Sequence, residues 1–472
     1  MPFRRATANG IIVGREGSVM NVLLFDLYAG GHHLEYASAL RRALTARDSS
    51  LSVDFLTVAP TEKHGMYFEE DDLVYLRDRS PLTDRPAVVP DRDPFGTAYD
   101  FLATSVRNPT WDLVGEFADH AAAGDYDVVH VLEADKILGA LRYHCDRPDL
   151  PPTVATINGV FFKPDSAPLP AARPLCALLE RAGGRTFTRY CPPALRRGRD
   201  WDRWYLATCL DEGVFDHLTV PSAAAQADIA ADATGAAVDR ISVAPDPVES
   251  WDPDSLSQAA ARERLDLPAE GPTVLFFGQM REEKGIGTLL DAVATYDGPP
   301  FTLVLAGPPS AITSADVAAA ADGSPVTVVD RLEYVPESDV FAYFRAADGV
   351  VLPYEQSFGE LRPSTVFTKA CAAGRPVIAS DFGTLGRHVR EWDLGLLCEP
   401  ESSAGLAATL GEFVAAEGSD HDVDAGPTHY DPDSMAAYVA ARTYERLAET
   451  VDGAYRRVTA GSVARDAIGD GQ

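Results

Sequence analysis

The sequence contains little positive charge and very little lysine. Its 472 residues include 71 Asp and Glu against 41 Lys and Arg, a formal net charge of −30. All other basic residues are arginine, and lysine occurs only at Lys63, Lys136, Lys163, Lys284 and Lys369. A field this negative repels phosphate backbones and excludes nucleic acid as a partner. The composition favours a halophilic protein from a very salty cytoplasm over an ordinary acidic protein of a GC-rich genome.

Long apolar runs and paired cysteines are also missing. No run approaches the roughly 18–20 residues of a membrane span, and the basic start MPFRRATANG is not followed by the apolar core of a signal peptide. The cysteines are scattered without a C-x-x-C pair, which predicts buried thiols in a reducing compartment rather than disulfides or a zinc site. We therefore expect a cytoplasmic protein. The six cysteines are Cys145, Cys176, Cys191, Cys209, Cys371 and Cys398.

Short apolar runs alternate with Ala-rich helical stretches along the whole chain. This alternation is typical of βαβ units around a parallel sheet, and two such series predict an α/β protein of two doubly wound domains. Three prolines within residues 245–254 mark the boundary between them. The expected parts are a disordered tail over 1–19, a first domain over 20–247, a second over 248–425, and a helix over 426–472 that packs back on the first domain.

Three segments at predicted strand-to-helix turns carry polar or glycine-rich motifs. The first strand runs into Gly30, Gly31 and His32, where glycine lets a ligand approach the backbone and the helix start offers N–H donors; a plain tight turn is the alternative. In the second domain, Arg281 and Lys284 follow a strand that ends in Phe-Gly, at the sheet edge where open α/β sheets bind ligands. Two cations there suit a pyrophosphate, although a solvated helix start has the same composition.

The third segment lies between two further strands of the second domain. Ser364 is the predicted N-cap of a helix that starts at Thr365, and the positive end of such a helix suits a phosphate. Glu355 and Glu360, just before it, are expected to accept hydrogen bonds from sugar hydroxyls. An N-cap without any ligand is the alternative, because such caps occur in every α/β protein.

Together these blocks resemble the family-4 retaining glycosyltransferases of the GT-B fold, over most of residues 21–400. The family pattern F-G-R-x-x-x-x-K-G corresponds to 277–285, and the pattern L-x-x-x-G-x-G-P corresponds in part to 303–309, which reads L-V-L-A-G-P-P. A-D-x-x-x-x-P and E-A-x-A-x-G-x-P-V-x-A-S follow at 347–353 and 369–380. The order and spacing of four blocks are more specific than any single block. The variant segment S-F-G-E-L-R-P-S-T indicates a divergent subgroup, and the acidic, lysine-poor composition indicates a haloarchaeal member.

The resemblance implies two Rossmann-like domains facing a cleft, with a nucleotide-sugar donor held mainly by the second domain and the acceptor by the first. It implies no metal and no cofactor besides the donor substrate. The residues expected to act in catalysis are Lys284, Arg281 and Asn158. Those expected to bind the donor are Gly30, Gly31, His32, Gly278, Gln279, Gly307, Glu360, Ser364 and Thr365.

Three positions depart from the family pattern. Gln279 replaces the arginine after Phe-Gly, Lys369 replaces an acid that usually binds ribose, and Asn158 stands where many members carry histidine. Asparagine still hydrogen-bonds a sugar hydroxyl but does not carry a proton. Glu360 is the expected substitute for the ribose ligand.

The expected function is transfer of a hexosyl group, with retention of configuration, from a nucleotide sugar to a glycan or lipid-linked acceptor. The three departures support the alternative of an inactive binding or partner subunit, and a nucleotide-sugar epimerase is a third possibility. Residues 181–203 carry seven arginines against two aspartates, which suits peripheral contact with the inner face of an anionic membrane. An arginine-rich helix that neutralises neighbouring acids is equally expected there.

Overall fold

The computed structural model describes eight segments of the chain. They are residues 19–27, 33–58, 67–68, 73–75, 109–158, 199–231, 238–417 and 429–469. The expected tail over 1–19 therefore lies almost entirely outside the described residues. Where the structure describes them, Cys145, Cys209, Cys371 and Cys398 are buried and form no disulfide.

The first sheet has seven parallel strands in the order β3-β2-β1-β4-β5-β6-β7 within the described residues. Its strands are β1 Met20–Phe25, β2 Leu51–Thr57, β3 Leu73–Tyr75, β4 Val128–Val131, β5 Thr153–Thr156, β6 His217–Val220 and β7 Ile241–Val243. Its helices are α1 His33–Arg47, α2 Pro109–Ala123, α3 Leu138–His144, α4 Arg199–Asp211 and α5 Ala223–Ala230.

The second sheet has six parallel strands in the order β10-β9-β8-β11-β12-β13. They are β8 Thr273–Phe277, β9 Thr302–Ala306, β10 Thr327–Arg331, β11 Gly349–Leu352, β12 Val377–Ser380 and β13 Gly395–Cys398. The helices are α6 Gln258–Arg264, α7 Ile286–Thr295, α8 Ser314–Ala321, α9 Glu337–Ala346, α10 Thr365–Ala372, α11 Gly383–Trp392 and α12 Ser403–Glu417.

Both sheets reverse their strand order beside one central strand. β1 pairs with β2 on one side and β4 on the other, and β8 pairs with β9 and β11 in the same way. Val22, Leu23, Leu24 and Phe25 of β1 are completely buried, because helices cover both faces of the sheet. Ligands bind outside the carboxyl ends of such strands at the point of reversal, so the loops after β1, β8 and β11 are the places to examine.

Two terminal helices, α13 Pro432–Ala440 and α14 Tyr444–Gly469, connect the two cores. Tyr438 of α13 packs edge-on against Phe367 in the second domain, with ring centroids 5.6 Å apart. Tyr455 of α14 lies in the core of the first domain, where its hydroxyl is 2.8 Å from Nδ1 of His130. Nε2 of His130 is 2.7 Å from Oγ1 of Thr156. Burial lowers the pKa of His130 to about 3, so the ring is neutral and joins three elements by hydrogen bonds.

Candidate active site

A cavity of about 470 Å³ opens at the carboxyl edge of the second sheet. Its walls come from the segments after β8, β9 and β11 and from the first turn of α10. We call it the cationic cavity, because four cationic side chains line it, Arg281, Lys284, Arg362 and Lys369, against the two carboxylates Glu35 and Glu337. It is large enough for a nucleotide-sized ligand.

Lys284 is held in the wall of the cationic cavity by tight backbone packing. It ends the short 3₁₀ turn Glu282–Lys284 and is only 8% exposed. Gly278 has φ +97°, and a Cβ there would lie 2.7 Å from Nζ of Lys284. Gly307 has φ +140°, and its Cβ would lie 2.3 Å from the carbonyl oxygen of Gly278. Both positions therefore require glycine for the ammonium group to reach the cavity.

The cations of this wall outnumber their anionic partner. Nη1 of Arg281 lies 3.3 Å from Oε1 of Glu283, and Nη1 of Arg362 lies 3.7 Å from the same oxygen. The Arg362 guanidinium also stacks over the Phe358 ring, 4.4 Å from its centroid. Burial, with the charges of Arg281 and Arg362, lowers the pKa of Lys284 to about 8. Three cations facing one carboxylate leave net positive charge for an anionic ligand.

The start of α10 completes this wall. Ser364 is the N-cap, and its hydroxyl accepts a hydrogen bond from the N–H of Phe367 at 3.3 Å. The same oxygen is 3.0 Å from the Tyr354 hydroxyl, so its hydrogen-bonding capacity is largely used within the protein. Thr365, the first residue of the helix, lines the cavity. The first N–H groups of a helix have no intrahelical acceptor, which makes this end attractive to an anion.

The structure brings most of the sequence-predicted donor residues into one cavity. Those that line it are Gly278, Gln279, Arg281, Lys284, Gly307, Ser364 and Thr365. Glu360 is not among them: its side chain is exposed, and its backbone carbonyl accepts a hydrogen bond from Thr384 N–H. Gly30, Gly31 and His32 lie outside the described residues. The roles assigned to all of these residues remain predictions.

Known proteins resemble the chain in both sequence and structure. Residues 271–415 match the family model of the glycosyl transferases group 1. A curated relative, the D-inositol 3-phosphate glycosyltransferase of Acidothermus cellulolyticus, is 33% identical over 194 residues, 39% of this chain and 42% of the relative. The chain thus spans less than half the length of this relative.

Solved structures extend the likeness to almost the whole chain. The sucrose-phosphate synthase of Thermosynechococcus elongatus aligns with a TM-score of 0.61 at 20% identity, covering 94% of this chain and all of that one. Anabaena HepE in complex with UDP-glucose aligns with a TM-score of 0.57 at 15% identity, covering 92% of this chain and all of that one. The fold is GT-B. The fold class expected from the sequence is confirmed, and the match to the group 1 glycosyl transferases falls on the second domain.

Lys369 of the transferase domain is buried in an ionic cluster rather than free. Its Nζ lies 2.6 Å from Oε1 of Glu249, 3.7 Å from Oε2 of Glu35 and 4.0 Å from Oε1 of Glu337. It also sits 4.9 Å from the ring centroid of Trp251. Burial acts to lower the pKa of Lys369, but the charges of Glu249 and Glu35 raise it above its usual value. At the place where the family carries an acid, a cation thus ties α10 to the interdomain linker and α1.

A second cavity of about 150 Å³ lies between the two GT-B domains. Arg362 and Thr365 line it as well as the cationic cavity, so the two spaces adjoin. Asn158, predicted to contact the substrate, lines this second space. We call it the acidic chamber, because five carboxylates line it: Asp26, Glu35, Glu133, Asp246 and Glu249.

Sequence reasoning missed Arg362 and the acidic chamber. Arg362 lies in the segment between Gly359 and the N-cap Ser364, and its charge directly before a helix start was the available signal. The carboxylates of the chamber come from four distant segments, and in a chain with 71 acidic residues none of them stood out.

In the part of the chain that the structure describes, no group of three or more His, Cys, Asp or Glu side chains is placed to hold a metal ion. None of the described helices is both long and apolar enough to cross a membrane. Residues 181–198 of the arginine-rich segment lie outside the described part, and Arg203 pairs with Asp228. Membrane contact and metal independence remain predictions.

Proposed function

We propose that this protein transfers a sugar from a nucleotide-sugar donor to a glycan or lipid-linked acceptor, with retention of configuration and without a metal ion. The observation that carries the proposal is the cationic cavity, where Lys284, Arg281 and Arg362 meet the start of α10 inside the group 1 glycosyl transferase domain. The donor-bound neighbour with UDP-glucose supports a nucleotide sugar as the ligand.

The cationic wall fits the charge that develops during transfer. When the bond from the anomeric carbon to the diphosphate oxygen breaks, negative charge grows on the departing diphosphate. Lys284 and Arg362 are fixed in the wall before the reaction, so they stabilise that charge without reorganising. In a retaining, front-face reaction the acceptor oxygen attacks from the side of the leaving group. The acceptor proton then passes to the departing phosphate oxygen, so no protein base is needed.

Apolar side chains of the cationic cavity suit the nucleoside. Val335 and Val340 line it as buried residues, and Tyr334 lines it although 56% of the residue is exposed. An aromatic ring at the rim of a cavity offers a stacking surface for a base. We therefore assign the diphosphate to the cationic wall and the nucleobase to this apolar side.

The experiment is a turnover assay with UDP-, GDP- and ADP-sugars and a panel of sugar and lipid-linked acceptors, in molar KCl. Release of the nucleoside diphosphate measures turnover, and the anomeric signals of the product by NMR report retention or inversion. Acceptor-dependent release supports the proposal, and an inverted product contradicts the retaining mechanism. Failure of every donor and every nucleoside diphosphate to bind would refute it.

The competing function is a binding subunit without catalysis. The observation in its favour is Lys369, which occupies an acid's place in the family pattern and is held by Glu249. A binding subunit predicts a thermal shift with nucleoside diphosphates and no release from any sugar nucleotide. Release of an epimerised free sugar without acceptor would instead indicate an epimerase.

A further inference from the structure

The acidic chamber brings five carboxylates to the wall of one small cavity. Its five carboxylates come from the end of β1, from α1, from the segment after β4 and from the linker after β7. Its cationic lining is Arg362 together with His33, whose Nδ1 lies 2.9 Å from Asp26 Oδ2. Lys369 pairs with Glu249 at the edge. His33 Nδ1 is also 4.0 Å from Glu133 Oε1. Within the part of the chain that the structure describes, five carboxylates and two cationic side chains line the chamber.

Asp246 has no partner for its charge among the described residues. No described side chain or backbone group hydrogen-bonds its carboxylate, and no described cation pairs with it. Burial and the nearby charge of Glu133 raise the pKa of Asp246 to about 7. An acid in this position is stabilised by a ligand that supplies positive charge or hydrogen-bond donors.

Two tyrosines, Tyr36 and Tyr444, also line the chamber. Tyr444 of α14 is 6% exposed, and no described residue hydrogen-bonds its hydroxyl. Burial raises the pKa of Tyr444 well above the usual range, and the charges of Glu249, Glu35 and Asp246 add to this. Its ring meets the ring of Tyr36 edge-on at 6.1 Å. Aromatic rings beside carboxylates are a good environment for an ammonium group.

We propose that the acidic chamber binds a protonated amine carried by the acceptor, so that the acceptor is an amino sugar or aminocyclitol and not a phosphorylated compound. Asp246 and Glu133 contact the ammonium group, and the Tyr444 hydroxyl contacts the ring of the same molecule. This inference rests on the proposed transferase function. The chamber is lined mainly by the first domain and adjoins the diphosphate wall at Arg362 and Thr365, so an acceptor held there lies beside the donor.

The first experiment compares three probes of one size but different charge. Glucosamine, glucose and glucose 6-phosphate are titrated by NMR against the full chain, saturated with the nucleoside diphosphate that gives the largest thermal shift. We expect glucosamine to bind at least about tenfold more tightly than glucose, and glucose 6-phosphate to bind more weakly than glucose. Equal binding of glucose and glucosamine, or tighter binding of the phosphate, overturns the inference.

A second experiment uses variants to test whether the ammonium group binds in the acidic chamber. Asp246→Asn and, separately, Glu133→Gln should reduce the preference for glucosamine about tenfold while leaving the nucleotide thermal shift unchanged. Asp322→Asn removes the same charge from an exposed position outside the chamber and should change nothing. An unchanged preference in both chamber variants contradicts the assignment. The nucleotide shift shows that each variant is folded.

Two outcomes distinguish this inference from an amine on the donor and from failure of the proposed transferase function. A larger thermal shift with UDP-glucosamine than with UDP-glucose, without any preference for free glucosamine, would put the amine on the donor and overturn the acceptor assignment. Failure of all nucleoside diphosphates to bind would remove the proposed function itself. Nucleotide binding without amine preference removes only the inference.

Discussion

The two cavities of the interdomain cleft share a wall but carry opposite charge. Among the described residues, the cationic cavity presents Arg281, Lys284, Arg362 and Lys369 against Glu35 and Glu337, whereas the acidic chamber presents five carboxylates against Arg362 and His33. The first is built mostly from one continuous part of the chain, and the second from segments that meet only after folding. The difference indicates that local motifs set the proposed donor side, whereas the proposed acceptor side depends on how distant segments come together.

The largest expected effect comes from removing the buried ammonium of the cationic cavity. Lys284→Met keeps most of the side-chain volume but removes the charge, so the affinity for the best-binding nucleoside diphosphate should fall about 100-fold, or about 2.7 kcal/mol. Isothermal titration measures the loss. Arg390→Met removes a cation from an exposed position of the same domain and should leave affinity unchanged. Equal affinities of Lys284→Met and the unaltered protein would end the assignment of this wall to the diphosphate.

In the acidic chamber, we expect removal of one carboxylate to change the free energy of unfolding. Burial and the charge of Glu249 raise the pKa of Glu35 to about 7, so the folded protein binds a proton that the unfolded chain releases above about pH 4.5. Ionisation of Glu35 therefore lowers the free energy of unfolding by its full amount above about pH 7 and has no effect below about pH 4.5. Glu35→Gln should raise the free energy of unfolding at pH 8 by about 2 kcal/mol, with no gain near pH 4.5.

Chemical denaturation at both pH values measures this difference. Glu270→Gln, an exposed acid outside the chamber, is the matched control and should have little effect. A loss of stability in Glu35→Gln at pH 8 would show that attraction to Lys369, 3.7 Å away, outweighs the crowding of carboxylates.

The shared wall offers a test of how separate the two cavities are. Arg362→Met should weaken nucleoside diphosphate binding about tenfold, because one of three cations is lost while the packing on Phe358 is largely kept. Glucosamine binding should not fall, because the chamber loses a cation rather than an acid. Parallel titrations of both ligands measure the effect, and a joint loss would mean that the cavities act as one site.

The most gradual expected effect is the pH dependence of donor binding. The pKa of Lys284 is lowered to about 8, so the ammonium loses its proton as the pH rises through 8. Nucleoside diphosphate affinity should therefore be constant from pH 6.5 to 7.5 and fall by up to about tenfold per pH unit above 8. Titrations from pH 6.5 to 9.5 measure the slope. In Lys284→Met, nucleoside diphosphate affinity should no longer depend on pH in this range. If the pH dependence persists in this variant, another group causes it.

Local patterns allowed much of the donor side to be predicted. Neighbouring residues were enough to predict the strand after Pro272, the glycines Gly278 and Gly307, and the N-cap Ser364. The structure brings these glycines and Ser364 into one cavity. Glu360 illustrates the limit. The residues between Gly359 and Ser364 fold so that Arg362, not Glu360, faces the cavity, and only the tertiary contacts of that loop decide this.

The acceptor side could not be predicted for a different reason. Four residues that line the chamber are each more than a hundred positions from the next along the chain: Asp26, Glu133, Asp246 and Tyr444. No sequence spacing links them. The role of Lys369 was likewise hidden, because its partners Glu35 and Glu249 lie in the first domain and the linker. Lys369, which in the sequence suggested the loss of a ribose ligand, forms ionic contacts that join the second domain to the first domain and the linker.

The return of α14 to the first domain bears on how the chain matures during synthesis. Tyr455 closes a core whose last strand, β7, emerges about 200 residues earlier. At translation rates of about 5–20 residues per second, the first domain waits on the order of 10–40 s for α14. During that interval the face that will receive Tyr444, Val451 and Tyr455 is exposed to other nascent chains and to chaperones. Helix α14 therefore acts as a late checkpoint, since only a chain translated through α14 can bury this surface.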